Sequence, residues 1–321
     1  MKAIKVIDGK AALQEAEIPK IGPNDILIRI KATAANRADL MQKKGLYPPP
    51  PGASEILGLE CSGIVDAVGN KVTSRKVGDE VCALLAGGGY AEYVACPEFQ
   101  AIPKPTNLNW DEAASLPEVY ATCWLNLFIE GNLNTGNKVL FHAGASGIGT
   151  AGIQLCKAFD CESFITAGDK EKIKFCIDLG ASEGAVRGDK MFNEVQGWVP
   201  EGFDIILDPV GANYFEDNLK VLGLEGRLII IGLMGGMEAN INLGHLMMKR
   251  QRIIGSTIRA RSEELKKIVM NELHKKVWPF IESNQIKPVI HEVLNISETE
   301  KAHQIMEENQ NIGKLVLSLG N

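Results

Sequence analysis

The most constraining feature of this 321-residue sequence is a regular alternation of apolar runs and amphipathic segments between residues 138 and 231. Apolar runs such as Leu228–Ile231 are nearly continuous, which is typical of strands covered on both faces. The alternation predicts an α/β fold with a doubly wound parallel sheet. The predicted strands are 138–142, 163–166, 203–208 and 227–231, and the predicted helices are 149–159, 170–179 and 214–222.

A glycine-rich turn joins the first of these strands to the first helix, within residues 140–150. Glycines in this context let the backbone approach a pyrophosphate, whose charge the helix N–H groups and dipole stabilise. Read from Gly144, the pattern is G-x-S-x-x-G, with Ser146 at the middle position, and departs from the strict G-x-G-x-x-G. The turn predicts dinucleotide binding; a glycine-rich turn without a ligand is the alternative.

The end of the second strand bears on the choice between NADPH and NADH. NAD enzymes place a carboxylate there, about 20 residues after the glycine turn, to hold the ribose hydroxyls. Here small residues are followed by Asp169, Lys170 and Lys172. The two lysines can hold a 2′-phosphate, whereas Asp169 would repel it. We expect NADPH, and a solvated first helical turn is the alternative role for Asp169.

Short strands and turns fill the first third of the chain, with strands expected at 26–30, 61–68 and 80–84. The four prolines at 48–51 exclude helix or central strand and predict a stiff surface loop. A helix is expected at 111–129, capped by Asn109 or Thr106. The last elements expected are a helix at 262–282, a strand at 288–293, a helix at 297–308 and a strand at 314–319 that completes the first sheet.

Length and composition narrow the class of protein. A chain of 321 residues is long enough for two domains. The net charge of −6 offers no basic surface for nucleic acid, and no apolar run reaches the roughly 20 residues that span a bilayer. The seven cysteines are scattered without a C-x-x-C pair, and the N-terminus shows no export signal. We therefore expect a cytoplasmic protein.

Several short motifs, in order along the chain, resemble the medium-chain dehydrogenase/reductase superfamily. They are Ala35–Gln42, Leu57–Gly63, Val68–Gly69, Val77–Asp79, Gly232–Gly236 and Asn311–Lys314. The similarity is greatest to the zinc-free branch, the zeta-crystallin-like quinone oxidoreductases. It implies a β-rich, GroES-like catalytic domain made of residues 1–120 and 263–321, and a Rossmann domain at 121–262. It also implies a homodimer in which sheet edges pair near Ile253–Gly255.

The same comparison argues against a metal. Zinc alcohol dehydrogenases have Cys where this chain has Asn36 and His where it has Leu59, and neither replacement is a usable zinc ligand. Without zinc to polarise the substrate, the site should favour acceptors that delocalise electrons themselves, such as quinones. The resemblance thus implies NADPH-dependent quinone reduction, by one or two electrons. A 2-alkenal or enone double-bond reductase and a non-catalytic NADPH-binding protein remain alternatives.

The resemblance also assigns site residues. Tyr47 and Asn36 would line the substrate cleft near the nicotinamide, with Tyr47 as hydrogen-bond donor to the substrate oxygen, and Ser146 would lie at the cofactor. A tyrosine stacked on the prolines and a turn-forming asparagine are the alternatives, as is a plain strand-end histidine for His142. The expected cofactor-binding residues are His142, Gly144, Ser146, Gly147, Ile148, Gly168, Lys172, Gly232, Leu233, Met234, Ile258 and Asn311.

Overall fold

A computed structural model describes residues 1–320. The chain divides into two compact units, one formed by Met1–Ala121 together with the chain from Ile258 onward, the other by Thr122–Thr257. The predicted end of the Rossmann domain, residue 262, therefore lies shortly after the end of the second unit. We describe each unit separately.

The first unit begins with a hairpin and continues into a larger sheet. The hairpin strands are joined by Asp8 and Gly9, which both have positive φ, as a two-residue turn of type I′ requires. The elements before residue 124 are β1 Lys2–Ile7, β2 Lys10–Glu15, β3 Asp25–Ala35, α1 Arg37–Lys43, β4 Glu60–Val68, β5 Glu80–Leu84, β6 Tyr93–Pro97, β7 Ala101–Pro103, α2 Trp110–Ala114 and α3 Pro117–Cys123.

The second unit is a parallel sheet with connecting helices. After a π-helical segment, Trp124–Glu130, all six strands run parallel in the order β10-β9-β8-β11-β12-β13. Its elements are β8 Lys138–Phe141, α4 Gly147–Ala158, β9 Glu162–Ala167, α5 Lys170–Leu179, β10 Glu183–Val186, α6 Met191–Trp198, β11 Phe203–Asp208, α7 Ala212–Val221, β12 Leu222–Ile230, α8 Leu243–Met248 and β13 Arg252–Gly255.

The chain then returns to the first unit and completes its sheet. The last strand pairs antiparallel with β3, so the predicted closing strand is confirmed. The sheet has the order β14-β15-β3-β4-β5-β7, and β6 also pairs with β3. The closing elements are α9 Glu263–Lys276, α10 Trp278–Glu282, β14 Ile290–Asn295, α11 Thr299–Glu307 and β15 Lys314–Ser318.

The predicted α/β class with a doubly wound parallel sheet is confirmed. Counted within the second unit, the strand order is 3-2-1-4-5-6, the order of the Rossmann fold. Apolar side chains of β8, β9, β11 and β12 form its buried core, among them Leu140, Phe164, Ile206 and Leu228. The order reverses between β8 and β11, and a ligand of such a sheet binds at the carboxyl ends of the strands there.

Two predicted helices are wrong as single elements. The helix expected at 111–129 is interrupted between Ala114 and Pro117, and the helix expected at 262–282 is interrupted at Val277. In both cases a proline, Pro117 or Pro279, lies in the first turn of the second piece, where its missing N–H costs nothing. Asn109, the first of the two proposed caps, is the N-cap of α2.

Candidate active site

The glycine turn lies at the carboxyl end of β8 and packs against β9. Ala143 adopts a left-handed φ of 57°, and the N–H of Gly144 donates to the carbonyl oxygen of Thr166 at 2.9 Å. A Cβ on Gly144 would lie 2.5 Å from the Cβ of Ile165. Because the position of a Cβ atom is fixed by the backbone, no rotamer change of Ile165 can relieve that contact. Glycine is therefore required at 144 for the turn to approach β9.

The start of α4 provides free backbone donors. Ser146 is the N-cap, and its Oγ accepts from the N–H of Gly149 at 3.1 Å. Within residues 1–320, the N–H groups of Gly147 and Ile148 have no acceptor. Unpaired N–H groups at the start of a 12-residue helix suit an anion such as a pyrophosphate. Gly147 and Ile148 thus lie in the first turn of α4, and the Ser146 hydroxyl is engaged in capping that helix.

His142 lies in the core of the second unit. Its side chain is buried, with Nδ1 2.9 Å from the Thr166 hydroxyl and Nε2 2.7 Å from Oδ1 of Asn218. Burial lowers the pKa of His142 to about 4, so the ring is neutral near pH 7. Both ring nitrogens have partners inside the domain, which matches the alternative of a hydrogen-bonded strand-end histidine.

The region after β9 combines a helix cap with two cations. The Asp169 carboxylate caps α5 by accepting from the N–H of Lys172 at 2.9 Å. Arg187, directly after β10, donates its backbone N–H to the carbonyl of Ala167 at 2.8 Å. Its guanidinium lies 3.9 Å from the position that a Cβ on Gly168 would occupy. Arg187 therefore lies beside the exposed Gly168, and Lys172 lies in the first turn of α5. Sequence reasoning missed Arg187 because it overlooked the short strand β10.

The loop after β12 completes this edge of the sheet. The N–H of Met234 donates to the carbonyl of Pro209 at 3.2 Å, and a Cβ on Gly232 would lie 2.8 Å from the same oxygen. Leu233 and Met234 are about half exposed. The structure thus gathers the predicted residues of the second unit at the carboxyl ends of the parallel strands, where Rossmann folds bind ligands.

In the first unit, Asn36 belongs to a buried polar cluster. Its Oδ1 accepts from Nζ of Lys314 at 2.6 Å, and its Nδ2 donates to Oε1 of Glu60 at 2.9 Å. The same Glu60 oxygen lies 2.7 Å from Lys314 Nζ, and both side chains of this ion pair are nearly inaccessible. The amide of Asn36 is thus occupied on both atoms. Sequence reasoning, which placed Asn36 at the substrate, did not find its partners.

Asp39, next to this cluster, anchors the backbone. Its carboxylate accepts from the N–H groups of Asn36 and Gly58 and from the hydroxyl of Tyr90, at 2.8, 2.9 and 3.1 Å. Burial raises the pKa of Asp39 to about 6, against the opposing effect of these donors. Asp39 therefore ties the start of α1 to the segment before β4.

The remaining predicted residues of the first unit lie in loops. Tyr47 follows α1 and is partly buried, and its ring centroid lies 5.3 Å from Cζ of Arg259. Ile258 accepts from the N–H of Arg261 through its carbonyl at 3.1 Å, and the Asn311 amide donates to the carbonyl of Gly313 at 2.7 Å. Among these three residues, Tyr47 has a charged group, the guanidinium of Arg259, against its side chain.

The residues at the zinc-ligand positions do not fit a metal. Asn36 is bound to an ammonium group, and Leu59 is a buried apolar side chain. Among residues 1–320, no group of three or more His, Cys, Asp or Glu side chains is placed to hold a metal ion. Within the same range, no helix has the length and apolarity needed to cross a membrane.

The fold and the glycine turn define a class of two-domain proteins in which a Rossmann domain interrupts a second, mainly antiparallel domain. Two family profiles match the chain. One, described as "Alcohol dehydrogenase GroES-like domain", matches residues 22–106, and the other, "Zinc-binding dehydrogenase", matches residues 147–275. The chain belongs to the medium-chain dehydrogenase/reductase superfamily, and it is an oxidoreductase of that superfamily.

Individual relatives are similar over the whole chain. A quinone oxidoreductase of Mus musculus is 28% identical over 99% of this chain and 98% of its own length. The synaptic vesicle membrane protein VAT-1 homolog of Danio rerio is 29% identical over 98% of this chain, which spans 66% of that protein.

Two solved structures show the same fold. The crystal structure of an NAD-dependent alcohol dehydrogenase superimposes with a TM-score of 0.86 at 30% identity, over 100% of both chains. A mycobacterial protein complexed with NADPH superimposes with a TM-score of 0.88 at 26% identity, over 99% of both chains.

Proposed function

We propose that this chain is a zinc-free, NADPH-dependent reductase of quinones, of the zeta-crystallin-like branch. The observation that carries the proposal is a cation, Arg187, beside Gly168, with Lys172 in the first turn of the next helix, in a fold whose zinc-ligand positions hold Asn36 and Leu59. The similarity to a quinone oxidoreductase and to an NADPH complex supports it. Without a Lewis acid, the acceptor must spread developing negative charge over its own π system, and quinones do so.

The Rossmann unit fits the cofactor. The N–H groups of Gly147 and Ile148 would hold the pyrophosphate, and Gly144 would let the backbone approach it. When bound, the nicotinamide supplies a hydride, and a proton from solvent completes the hydroquinone. Lys172 and Arg187 would bind the 2′-phosphate, because both are cations and the Arg187 guanidinium lies beside Gly168 at the end of β9.

One assay tests the function. NADPH absorbance is followed with an ortho-quinone, with a conjugated enal and without acceptor. Oxidation with the quinone alone is the expected result. Oxidation with the enal alone would instead indicate a double-bond reductase, and tight NADPH binding without turnover would indicate a non-catalytic binding protein.

The cation pair gives a prediction on cofactor choice. Arg187→Ala and Lys172→Ala should each raise the KM for NADPH about tenfold, because each removes a charge-assisted contact to the 2′-phosphate, and should change the KM for NADH little. Lys174→Ala, on the same helix but paired with Asp178, is the matched control and should leave both constants unchanged. Equal effects on NADPH and NADH would remove the case for a 2′-phosphate site.

We also propose a homodimer and a cytoplasmic location. Among residues 1–320, strand β13 pairs only with β12, so it leaves an edge at Ile253–Gly255 that a second copy can extend. Sedimentation at micromolar concentration should show a dimer; monomer alone would contradict it.

All seven cysteines are free thiols, as a reducing compartment requires. Localisation of a tagged chain to an oxidising compartment would contradict the second proposal.

A further inference from the structure

Arg259 is a buried cation held by neutral groups. Its side chain lies in the first unit at 4% exposure, although it follows Ile258 at the point where the chain returns. Its guanidinium donates to the carbonyl of Ala86 at 2.8 Å, to that of Tyr47 at 3.3 Å and to the side-chain oxygen of Gln42 at 2.7 Å. The guanidinium therefore links residue 259 to two segments that are far from it in sequence, residues 42–47 and the loop after β5.

The charge of Arg259 has no ionic partner. Within residues 1–320, no carboxylate lies within ion-pair distance of its guanidinium, and burial lowers the pKa of Arg259. A second buried ammonium, that of Lys266, donates to the Arg259 carbonyl at 2.7 Å. Leaving a buried charge unpaired lowers the stability of the folded state. Selection for stability alone would therefore favour a neutral residue at 259, or a carboxylate beside the guanidinium. This charge therefore calls for a functional explanation.

Tyr47 receives the field of this charge. The guanidinium lies 5.3 Å from the centroid of its ring, within cation–π distance. The Tyr47 hydroxyl has no hydrogen-bond partner among residues 1–320 and remains available to a ligand. Burial has the largest effect on the pKa of Tyr47 and raises it. Of the two charged groups that act on the hydroxyl, Arg259 lowers this pKa and Glu118 raises it. A positive charge against the ring stabilises the negative charge that a phenol oxygen gains when it donates.

We propose that Arg259 is a positioning residue of the substrate site, which holds the loop of Tyr47 and strengthens the Tyr47 hydroxyl as a hydrogen-bond donor to the carbonyl oxygen of the acceptor. The inference rests on the proposed function for the role of the acceptor. The coupling between Arg259 and Tyr47 is a property of the free protein and does not depend on the proposed function.

A double-variant cycle tests the kinetic part. Arg259→Gln should lower kcat/KM for the quinone about tenfold with the KM for NADPH unchanged. In a Tyr47→Phe background the same substitution should have little further effect, because Arg259 acts through the hydroxyl. Arg75→Gln is the matched control, since Arg75 also donates to backbone carbonyls of the first unit. Additive effects of Arg259→Gln and Tyr47→Phe would overturn the proposal.

A titration tests the coupling without turnover. The chain has five tyrosines, and the ultraviolet difference between wild type and Tyr47→Phe isolates the ionisation of Tyr47. In Arg259→Gln this ionisation should move to higher pH, and in Arg259→Lys, which keeps the charge, it should stay near its wild-type position. An unchanged titration in Arg259→Gln overturns the inference. Absence of turnover with every acceptor in wild type would instead refute the proposed function alone.

Discussion

Replacing Lys314 by Met should lower the free energy of unfolding by about 3–5 kcal/mol, the usual cost of removing one partner of a buried ion pair. Its ammonium lies 2.7 Å from Glu60, whose side chain is fully buried. Without Lys314, the Glu60 carboxylate would keep two donors within the described part of the chain, the N–H of Glu118 and the amide of Asn36. Urea denaturation of wild type and variant measures the difference.

An exposed pair of the same type serves as the control. Lys301 and Glu292 also lie 2.7 Å apart, but both are substantially exposed, so Lys301→Met should change the stability little. The double variant Lys314→Met/Glu60→Gln should be more stable than Lys314→Met, because it removes the uncompensated charge. Equal losses for Lys314→Met and Lys301→Met would show that burial does not set the strength of the Lys314 pair.

Gly149→Ala should weaken NADPH binding about tenfold or more and destabilise the second unit by about 1–3 kcal/mol. A Cβ at this position would overlap the backbone of Gly144, including its carbonyl oxygen. Because the obstacle is main chain, no rotamer relieves it, and the turn must move away from the start of α4. The N–H groups of Gly147 and Ile148 would then no longer keep their position relative to the turn.

Gly197→Ala is the matched control for this substitution. Gly197 lies within α6, and a Cβ there would meet no atom within 4 Å. Alanine at an open helical position should leave NADPH affinity unchanged and raise stability by about 0.5–1 kcal/mol. Fluorescence titration with NADPH gives the affinity and denaturation the stability. Equal affinities of the two variants would contradict a role for the turn in binding.

The sequence predicted the local elements of the second unit well. Helix 170–179 and strand 203–208 have the predicted bounds, and Gly180 ends the helix with a φ of 129°. Predictions failed where a short element carried a weak pattern: β10 has four residues, and missing it concealed Arg187. The two interrupted helices show that apolar periodicity does not reveal a break of one or two residues.

The site residues divide in the same way. For His142 and Asp169 the sequence left two roles open, and the structure shows a core histidine and a helix cap. For Asn36 the resemblance implied a substrate contact, with a turn-forming amide as the alternative, and in the structure the amide is bound to Lys314 and Glu60. The roles of Tyr47 and Lys172 remain predictions that the variants above can test, and those of Ser146 and the other cofactor residues remain predictions.

By itself, the sequence determined the parallel sheet, the glycine turn and the absence of zinc ligands at residues 36 and 59. Hydrophobic periodicity, the backbone freedom of glycine and the chemistry of a side chain are properties of single residues and their neighbours. Only the tertiary structure showed that Lys314 lies against Asn36, or Arg259 against Gln42 and Tyr47, partners more than 200 positions apart in the chain. Such contacts depend on strand pairing and loop closure over long distances, and no local pattern records which charge will be buried beside which side chain.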